Sequence, residues 1–272
     1  MNNLISEYRK NGLFKVNSLL NLNVVNEIGS IVDELMLGKR SIPGMFFQLD
    51  PESKEYKDVN FTNTNYQGPS LRYRKIKDLE YIPEILNAIQ NSKLRDIAEQ
   101  IIGPEVSSMR IMMVNKPEGS HTPLPWHQDV SKSWPMSGRP EFTAWIALDD
   151  VDEENGCVEW IARSHTMGAI DDGHIASDQA IDSFLSKGFE VVKGILNKGD
   201  AYIFDCAVMH RSAPNLSGRR RRGLTICLMN SKVVNTTTQS TYPKIFGTGC
   251  LTPAKVSSLS EVPRNKPKDY GE

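Results

Sequence analysis

The most informative stretch of the chain is Pro125-Trp126-His127-Gln128-Asp129. Residues two apart in an extended segment point to the same side, so His127 and Asp129 can reach one ion while Gln128 points away. His210, far along the chain, can supply a second imidazole. Two imidazoles and one carboxylate on one face of an octahedral Fe(II) leave three coordination positions open. The sequence therefore predicts a metal site made by His127, Asp129 and His210.

Short predicted strands lie on both sides of this metal site in the sequence. The candidate ligand pair lies near the end of one extended segment, and His210 directly follows another. A jelly roll closes two sheets around a ligand cavity and can bring such segments together. We therefore predict a mainly β fold with flanking helices, either a β-barrel or a double-sheet sandwich such as a jelly roll. The apolar or alternating runs that predict its strands are Met109–Asn115, Phe142–Leu148, Val158–Ala162, Ala201–Asp205 and Leu224–Asn230.

The first third of the chain is predicted to be mainly helical. Apolar residues recur at helical spacing over residues 24–35, with Asn23 as a candidate N-cap and Gly38 after the end. Ser92 is a candidate cap for a second helix, which Gly103-Pro104 would end.

We predict a single domain over residues 1–272. Its Asn-, Pro-, Asp- and Gly-rich residues 41–70 are predicted to be a loop region. Residues 167–190 are predicted to be a helical or irregular insertion, and the last twenty residues a tail. The predicted parts are a helical N-terminal part at about 1–104, a jelly-roll core at about 105–232, and a C-terminal extension and tail at about 233–272.

Composition indicates an ordinary globular protein. The 272 residues are 39% hydrophobic and 24% charged, and the net charge of -1 favours neither a nucleic-acid nor an acidic-membrane partner. The polar first ten residues lack the apolar core of a signal peptide, and no apolar run approaches the roughly 18 residues of a membrane span. The four cysteines form no Cys-x-x-Cys pair, which favours free thiols in a reducing compartment. We expect a cytoplasmic protein.

Several motifs surround the candidate ligands in a defined order. They are Asn115-Lys116-Pro117, Trp126-His127-Gln128-Asp129, Thr143-Ala144-Trp145-Ile146-Ala147-Leu148-Asp149, Glu154-Asn155-Gly156-Cys157, Ser164-His165, and His210 with Asn215 and an arginine cluster. In this order and spacing the chain resembles the phytanoyl-CoA dioxygenase family of Fe(II)- and 2-oxoglutarate-dependent oxygenases. The resemblance extends over roughly residues 5 to 230.

The resemblance implies a double-stranded β-helix in which His127, Asp129 and His210 bind iron and 2-oxoglutarate chelates the metal. It also implies an arginine for the cosubstrate's far carboxylate, and Arg221 occupies that position, eleven residues after His210. A guanidinium suits this role because it binds a carboxylate through two parallel hydrogen bonds. The run of four consecutive arginines leaves the register open, with Arg219 as the alternative on the same strand face.

Three further residues match positions that surround 2-oxoglutarate in the family. Lys75 matches the family's lysine by its local pattern, and Met112 lies three residues before Asn115. Trp145 lies eighteen residues after His127. Without the resemblance, Met112 and Trp145 would be interpreted as core residues.

The resemblance implies an enzyme that uses Fe(II), 2-oxoglutarate and O2 and releases succinate and CO2, with ascorbate as a reductant in vitro. Its expected substrate is a small metabolite or natural-product intermediate, oxidised at a C–H bond. The carboxylate of Asp129 favours hydroxylation, because related halogenases replace it with a small residue. Desaturation, epoxidation and cyclisation stay open.

Two functions from different classes also stay open. One is a non-catalytic jelly roll that binds a metal or a small molecule. The second is a zinc hydrolase or isomerase, since two histidines and a carboxylate also suit zinc. Decarboxylation of 2-oxoglutarate would distinguish the oxygenase from both.

Overall fold

The computed structural model describes residues 2–169 and 175–263. Within them, none of the helices is long and apolar enough to cross a bilayer. The helices are Asn2–Asn11 (α1), Leu22–Met36 (α2), Pro83–Gln90 (α3), Leu94–Ile101 (α4), Asp178–Ser186 (α5) and Pro253–Ser257 (α6). The strands are Leu13–Val16 (β1), Phe47–Leu49 (β2), Tyr73–Lys77 (β3), Val106–Lys116 (β4), Leu124–His127 (β5), Phe142–Ala147 (β6), Val158–Ile161 (β7), Val191–Lys193 (β8), Ala201–Asp205 (β9), His210–Ser212 (β10), Arg221–Asn230 (β11) and Lys244–Phe246 (β12).

The strands form two antiparallel sheets that enclose a cavity. The major sheet has the order β1-β9-β6-β11-β4-β3-β2, with β12 also paired to β4, and the minor sheet has the order β5-β10-β7-β8. Residues of both sheets line the same cavity, among them Met112 and Trp145 from the major sheet and Val158 from the minor sheet. This architecture confirms the predicted jelly roll with flanking helices.

Alternate residues of the major sheet face a helical core and the cavity. On β4, Ile111 and Met113 pack in the core with the helices, whereas Arg110, Met112 and Lys116 line the cavity. The same alternation places the cavity residues Trp145 and Thr225 next to core residues such as Ile146, Leu224 and Ile226. Because side chains alternate along a strand, one sheet both holds the helical layer and presents polar groups to the cavity.

Helix α2 supplies much of the helical layer. Its Val25, Val32 and Leu35 are fully buried, and burial of one such side chain contributes about 1.5–3 kcal/mol. The N-cap is Asn21, whose side chain accepts a 3.0 Å hydrogen bond from Val24 N. The predicted cap two residues later is therefore wrong. The predicted end is confirmed, since Gly38 follows the C-cap with a φ of 69°.

The first third of the chain is less helical than predicted. It contains β1, β2 and β3, all in the major sheet, and β2 lies inside the predicted loop region. Strand β3, with the sequence Tyr-Arg-Lys-Ile-Lys, is buried at every position. Its basic residues hid it from a search for apolar alternation, because Arg74 and Lys75 line the cavity and Lys77 lies over the Phe46 ring, all of them away from solvent.

Two other predictions are partly tested. The predicted insertion contains α5, but residues 170–174 lie outside the described part of the chain. The predicted C-terminal tail contains the short helix α6, and its residues 264–272 lie outside the described part. Before α4, Ser92 Oγ accepts a 3.2 Å bond from Leu94 N, although the cap position itself is Lys93.

Candidate active site

The three predicted metal ligands converge in the structure. His127 ends β5 and pairs in register with His210, which begins β10. Their imidazole centroids lie 4.0 Å apart. One ligand atom from each of His127, Asp129 and His210 lies within 4.8 Å of the other two, and all three residues are buried. The pairing of two short strands of the minor sheet therefore brings residues that are distant in sequence to one point.

Backbone carbonyls orient both imidazoles. The Nδ1 atom of His127 lies 2.8 Å from Pro125 O, and that of His210 lies 3.0 Å from Val208 O. Donation of Nδ1–H to a carbonyl leaves the Nε2 lone pair for a metal. Burial lowers the pKa of His210, although the charge of Asp129 opposes this shift. The neutral imidazole that results is the form that binds metal ions.

Asp129 is held on both carboxylate oxygens. Arg110 Nη2 donates to its Oδ1 atom, and Thr143 Oγ1 donates to its Oδ2 atom at 2.8 Å. Burial alone would raise the pKa of Asp129, but Arg110, the two histidines and Thr143 together hold that pKa well below its usual value. The carboxylate is therefore ionised and fixed in orientation before any metal binds.

Sequence reasoning missed Arg110 and Thr143. Arg110 was detectable in principle, because it is a charged residue inside an apolar strand and lies two positions before Met112, on the same face. Thr143 lies two positions before Trp145 on β6, but a threonine in a strand is too common to indicate a site.

The residues predicted to surround 2-oxoglutarate line the same cavity as the candidate metal ligands. They come from four strands of the major sheet, and each is at most 7% exposed. The structure therefore brings together every residue of the predicted site. They are Lys75 on β3, Met112 on β4, Trp145 on β6 and Arg221 on β11.

The other members of the arginine run bind carboxylates away from the cavity. Arg219 is exposed and its Nη2 atom lies 2.6 Å from Asp152 Oδ2. Arg220 and Arg222 both bind Asp33 of α2, at 2.6 Å and 3.0 Å. Arg221 is the member of the run that lines the cavity. Arg219, the alternative on the same strand face, is therefore not at the site.

Arg221 is positioned by a carbonyl and an indole. Its Nη2 atom donates a 2.7 Å hydrogen bond to Gly156 O, and its guanidinium carbon lies 5.2 Å from the centre of the Trp145 ring. Burial lowers the pKa of Arg221 to about 10. The side chain is therefore rigid, desolvated and still charged at neutral pH.

Two glycines allow this arrangement. A Cβ atom on Gly223 would overlap the Trp145 indole, so the indole can cross β11 only at a glycine. Gly156 has a φ of 80°, and a Cβ atom there would lie 2.5 Å from Ala213 O. The turn at Glu154-Asn155-Gly156 thus presents the Gly156 carbonyl to Arg221.

Asn215 links backbone segments beside the site. Its Nδ2 atom donates to Lys116 O at 3.2 Å, to Pro117 O at 3.1 Å and to Arg219 O at 2.7 Å. It therefore ties the end of β4 to the segment that leads into β11.

Buried polar atoms without a hydrogen-bond partner show what kind of ligand the cavity fits. Among the described residues, Arg221 Nε, Thr225 Oγ1 and Thr122 Oγ1 are buried and have no hydrogen-bond partner. Buried polar groups are normally paired, so oxygen atoms of a bound molecule would satisfy them. A guanidinium fits a carboxylate, and two histidines with a carboxylate fit Fe(II) with open positions. The residues present therefore fit Fe(II) and 2-oxoglutarate.

Solved structures with related folds include two enzymes of nogalamycin biosynthesis. The non-heme alpha ketoglutarate dependent epimerase SnoN from nogalamycin biosynthesis aligns with a TM-score of 0.65 and 18% identity over 86% of this chain and 82% of that one. The carbocyclase SnoK from the same biosynthesis aligns with a TM-score of 0.64 and 20% identity over 86% of each chain. At these identities the likeness establishes the fold.

Comparison of sequences identifies the family. The peroxisomal phytanoyl-CoA dioxygenase of Bos taurus is 22% identical over 179 residues, which cover 62% of this chain and 53% of that protein. The chain spans about half the length of the curated relatives it matches. The family model for phytanoyl-CoA dioxygenase (PhyH) matches residues 8–223. The ordered motifs, the jelly roll and this match together show that the chain belongs to the phytanoyl-CoA dioxygenase family.

Proposed function

We propose that the protein is an Fe(II)- and 2-oxoglutarate-dependent oxygenase that oxidises a C–H bond of a small molecule and releases succinate and CO2. One observation carries the proposal: a buried arginine lines the same cavity as the converging His127, Asp129 and His210. The three ligands alone would also suit zinc. Arg221 with its unsatisfied Nε atom gives the cavity a carboxylate-binding group, which fits the far carboxylate of a 2-oxoglutarate chelated to the metal.

Each group of residues has a distinct role in this proposal. His127, Asp129 and His210 would hold Fe(II), and Arg221 would bind the far carboxylate of 2-oxoglutarate. The bound metal and cosubstrate supply the oxidising chemistry with O2. The protein therefore needs no side-chain base, and its own task is to bind, orient and exclude water.

The cavity walls suit that task. Met112, Trp145, Val158 and Phe204 provide apolar lining, which limits water near the metal. Lys75 pairs in register with Val114 of β4 and lines the same cavity. We assign Lys75, Met112 and Trp145 to the surroundings of 2-oxoglutarate, as the family resemblance implies.

Hydroxylation is the favoured reaction, because Asp129 keeps the ligand position occupied that halogenases leave open. A second candidate is rearrangement of a bound natural product by epimerisation or ring closure. The epimerase SnoN and the carbocyclase SnoK, whose folds this chain shares, support it. A small metabolite or natural-product intermediate is the proposed substrate, and a cytoplasmic location stays a prediction.

Turnover of 2-oxoglutarate tests the proposal. Purified protein with Fe(II), ascorbate and air should form succinate slowly without its substrate, and His127→Ala and Asp129→Ala should abolish this. Anaerobic binding of 2-oxoglutarate to the Fe(II) protein should be measured in the same preparation, because tight coupling to the substrate can suppress turnover. Absence of both turnover and binding would contradict the proposal and favour the non-catalytic jelly roll.

A further inference from the structure

A buried glutamine lies between the first two candidate metal ligands. Gln128 is 4% exposed and does not line the cavity. Its Nε2 atom donates hydrogen bonds of 2.6 Å to Ala207 O and of 2.9 Å to Gly168 O. A side-chain amide nitrogen carries two hydrogens, and these bonds use both of them. The amide therefore joins the ligand segment to two other segments of the backbone.

Ala207 belongs to the turn that leads from β9 to the third candidate ligand. The side chain of Asp205 accepts a 2.8 Å hydrogen bond from Ala207 N, and its backbone oxygen accepts one of 2.8 Å from Val208 N. Val208 O in turn lies 3.0 Å from His210 Nδ1. The bond from Gln128 therefore ends on a well-held turn, one residue away from the carbonyl that orients the His210 imidazole.

A backbone bond beside Gln128 reaches the same turn. Asp129 N donates a 2.8 Å hydrogen bond to Cys206 O, so Gln128 and Asp129 bind successive carbonyls of the turn. The bond to Gly168 O holds the amide from a third segment, directly after the short helical turn Ser164–Met167. Together these bonds fix the segment that carries two candidate ligands against the turn that precedes the third.

We propose that Gln128 is a positioning residue of the metal site, which sets the distance from His127 and Asp129 to His210 through its bond to Ala207 O. The inference rests on the proposed function, since it takes these three residues as metal ligands. The ligands come from two separate backbone segments, and a metal site requires them to be held within about 0.5 Å of their positions. Residues that orient metal ligands typically contribute about 10–100-fold to metal affinity.

The test separates an effect on the metal site from an effect on the fold. Gln128→Met keeps the length of the side chain and removes both donors, and Gln128→Asn keeps the amide but is too short to bind both carbonyls. The matched control is Gln90→Met, because Gln90 Nε2 also donates to two carbonyls, Ile245 O and Leu251 O, each at 2.8 Å. Gln90 does not line the cavity. Each protein would be titrated with Co(II), whose visible absorption depends on ligand geometry, and unfolded in urea without metal.

A positioning role predicts a change that loss of stability alone does not produce. Gln128→Met should weaken Co(II) binding about tenfold or more and shift the absorption of the saturated protein. Gln128→Asn should do the same by a smaller factor, and it carries the test if Gln128→Met does not fold. Gln90→Met should lower the urea midpoint and keep the wild-type affinity and absorption.

Two results would overturn the inference. One is wild-type Co(II) affinity and absorption in a folded Gln128 variant, and the other is an equal loss of affinity in Gln90→Met. Failure of the wild type to bind Co(II) would instead overturn the metal site of the proposed function, and this assignment with it.

Discussion

At the scale of single residues, the charge of Asp129 is compensated before a metal arrives. Arg110 and Thr143 each bind one of its oxygens, and its carboxylate is almost fully buried. Removal of one partner from a buried ion pair costs about 3–5 kcal/mol, because it leaves an uncompensated charge. A divalent metal at the same carboxylate would supply the missing positive charge.

We therefore expect Arg110→Met to destabilise the metal-free protein by about 3–5 kcal/mol and the metal-loaded protein much less. Urea unfolding with and without Mn(II), an air-stable substitute for Fe(II), measures both free energies. Arg219→Met is the matched control, because Arg219 forms an exposed ion pair with Asp152, worth about 1 kcal/mol or less. An equal loss with and without metal would show that Arg110 acts on the fold and not on the carboxylate.

The sequence predicts the candidate metal ligands better than the residues that hold Asp129 in place, Arg110 and Thr143. His127 and Asp129 are two residues apart in the sequence, so spacing alone predicts that they act together, and the family pattern adds His210. The choice between Arg219 and Arg221 needed the structure, because both have the same parity in a strand. Arg219 precedes β11, and only pairing of that strand with β4 shows which arginine faces the cavity.

At the scale of elements, β11 directs its alternate residues Arg221, Gly223 and Thr225 to the cavity side of the sheet. Arg221 and Thr225 line the cavity, and Gly223 between them leaves room for the Trp145 indole. The indole in turn lies against the Arg221 guanidinium. The strand thus supplies the Arg221 guanidinium and, at Gly223, the space for the indole that lies against this guanidinium.

Gly223→Ala should displace the indole and weaken 2-oxoglutarate binding while it leaves metal binding intact. Overpacking of this kind costs about 1–3 kcal/mol. Calorimetric titrations with Mn(II) and then with 2-oxoglutarate separate the two effects. Gly218→Ala is the control, since a Cβ atom there meets nothing within 4 Å. Loss of metal affinity in Gly223→Ala would mean that the indole supports the metal ligands and not the arginine.

Strands of apolar or alternating residues were predictable from the sequence, and the strand with buried charged residues was not. Strands β6, β7 and β9 match their predicted positions closely because their residues are apolar or alternate. Strand β3 was missed because its Arg74, Lys75 and Lys77 resemble a solvated segment, yet all are buried. The interpretation of a sequence pattern assumes that charged side chains face water, and the buried charged side chains of β3 do not follow this assumption.

At the scale of the whole molecule, Arg222 joins the helical layer to the major sheet. Its Nη1 atom binds Gly29 O at 2.9 Å and Asp33 at 3.0 Å on α2, and its Nη2 atom binds Asp149 at 2.7 Å. Burial would lower the pKa of Arg222, but these carboxylates outweigh it and raise the pKa. This cation therefore connects the two layers on the face of β11 opposite to the cavity residue Arg221.

Arg222→Met should lower the free energy of unfolding by about 3 kcal/mol, the lower end for a broken buried pair. The affinity of the folded protein for Mn(II) should not change, because Arg222 does not line the cavity. Urea unfolding and metal titration of the same sample check both statements. A reduced metal affinity in a fully folded sample would show that the helical layer controls the geometry of the ligands.

The alternation along β4 also determines how a mutant library for new substrates should be designed. Ile111 and Met113 belong to the core that keeps the chain folded, whereas Met112 and Val114 face the cavity. Randomising the codons of Met112 and Val114 would therefore vary the shape of the cavity and leave the core residues of β4 unchanged. Randomising the intervening codons would yield mostly unfolded clones and no change in selectivity.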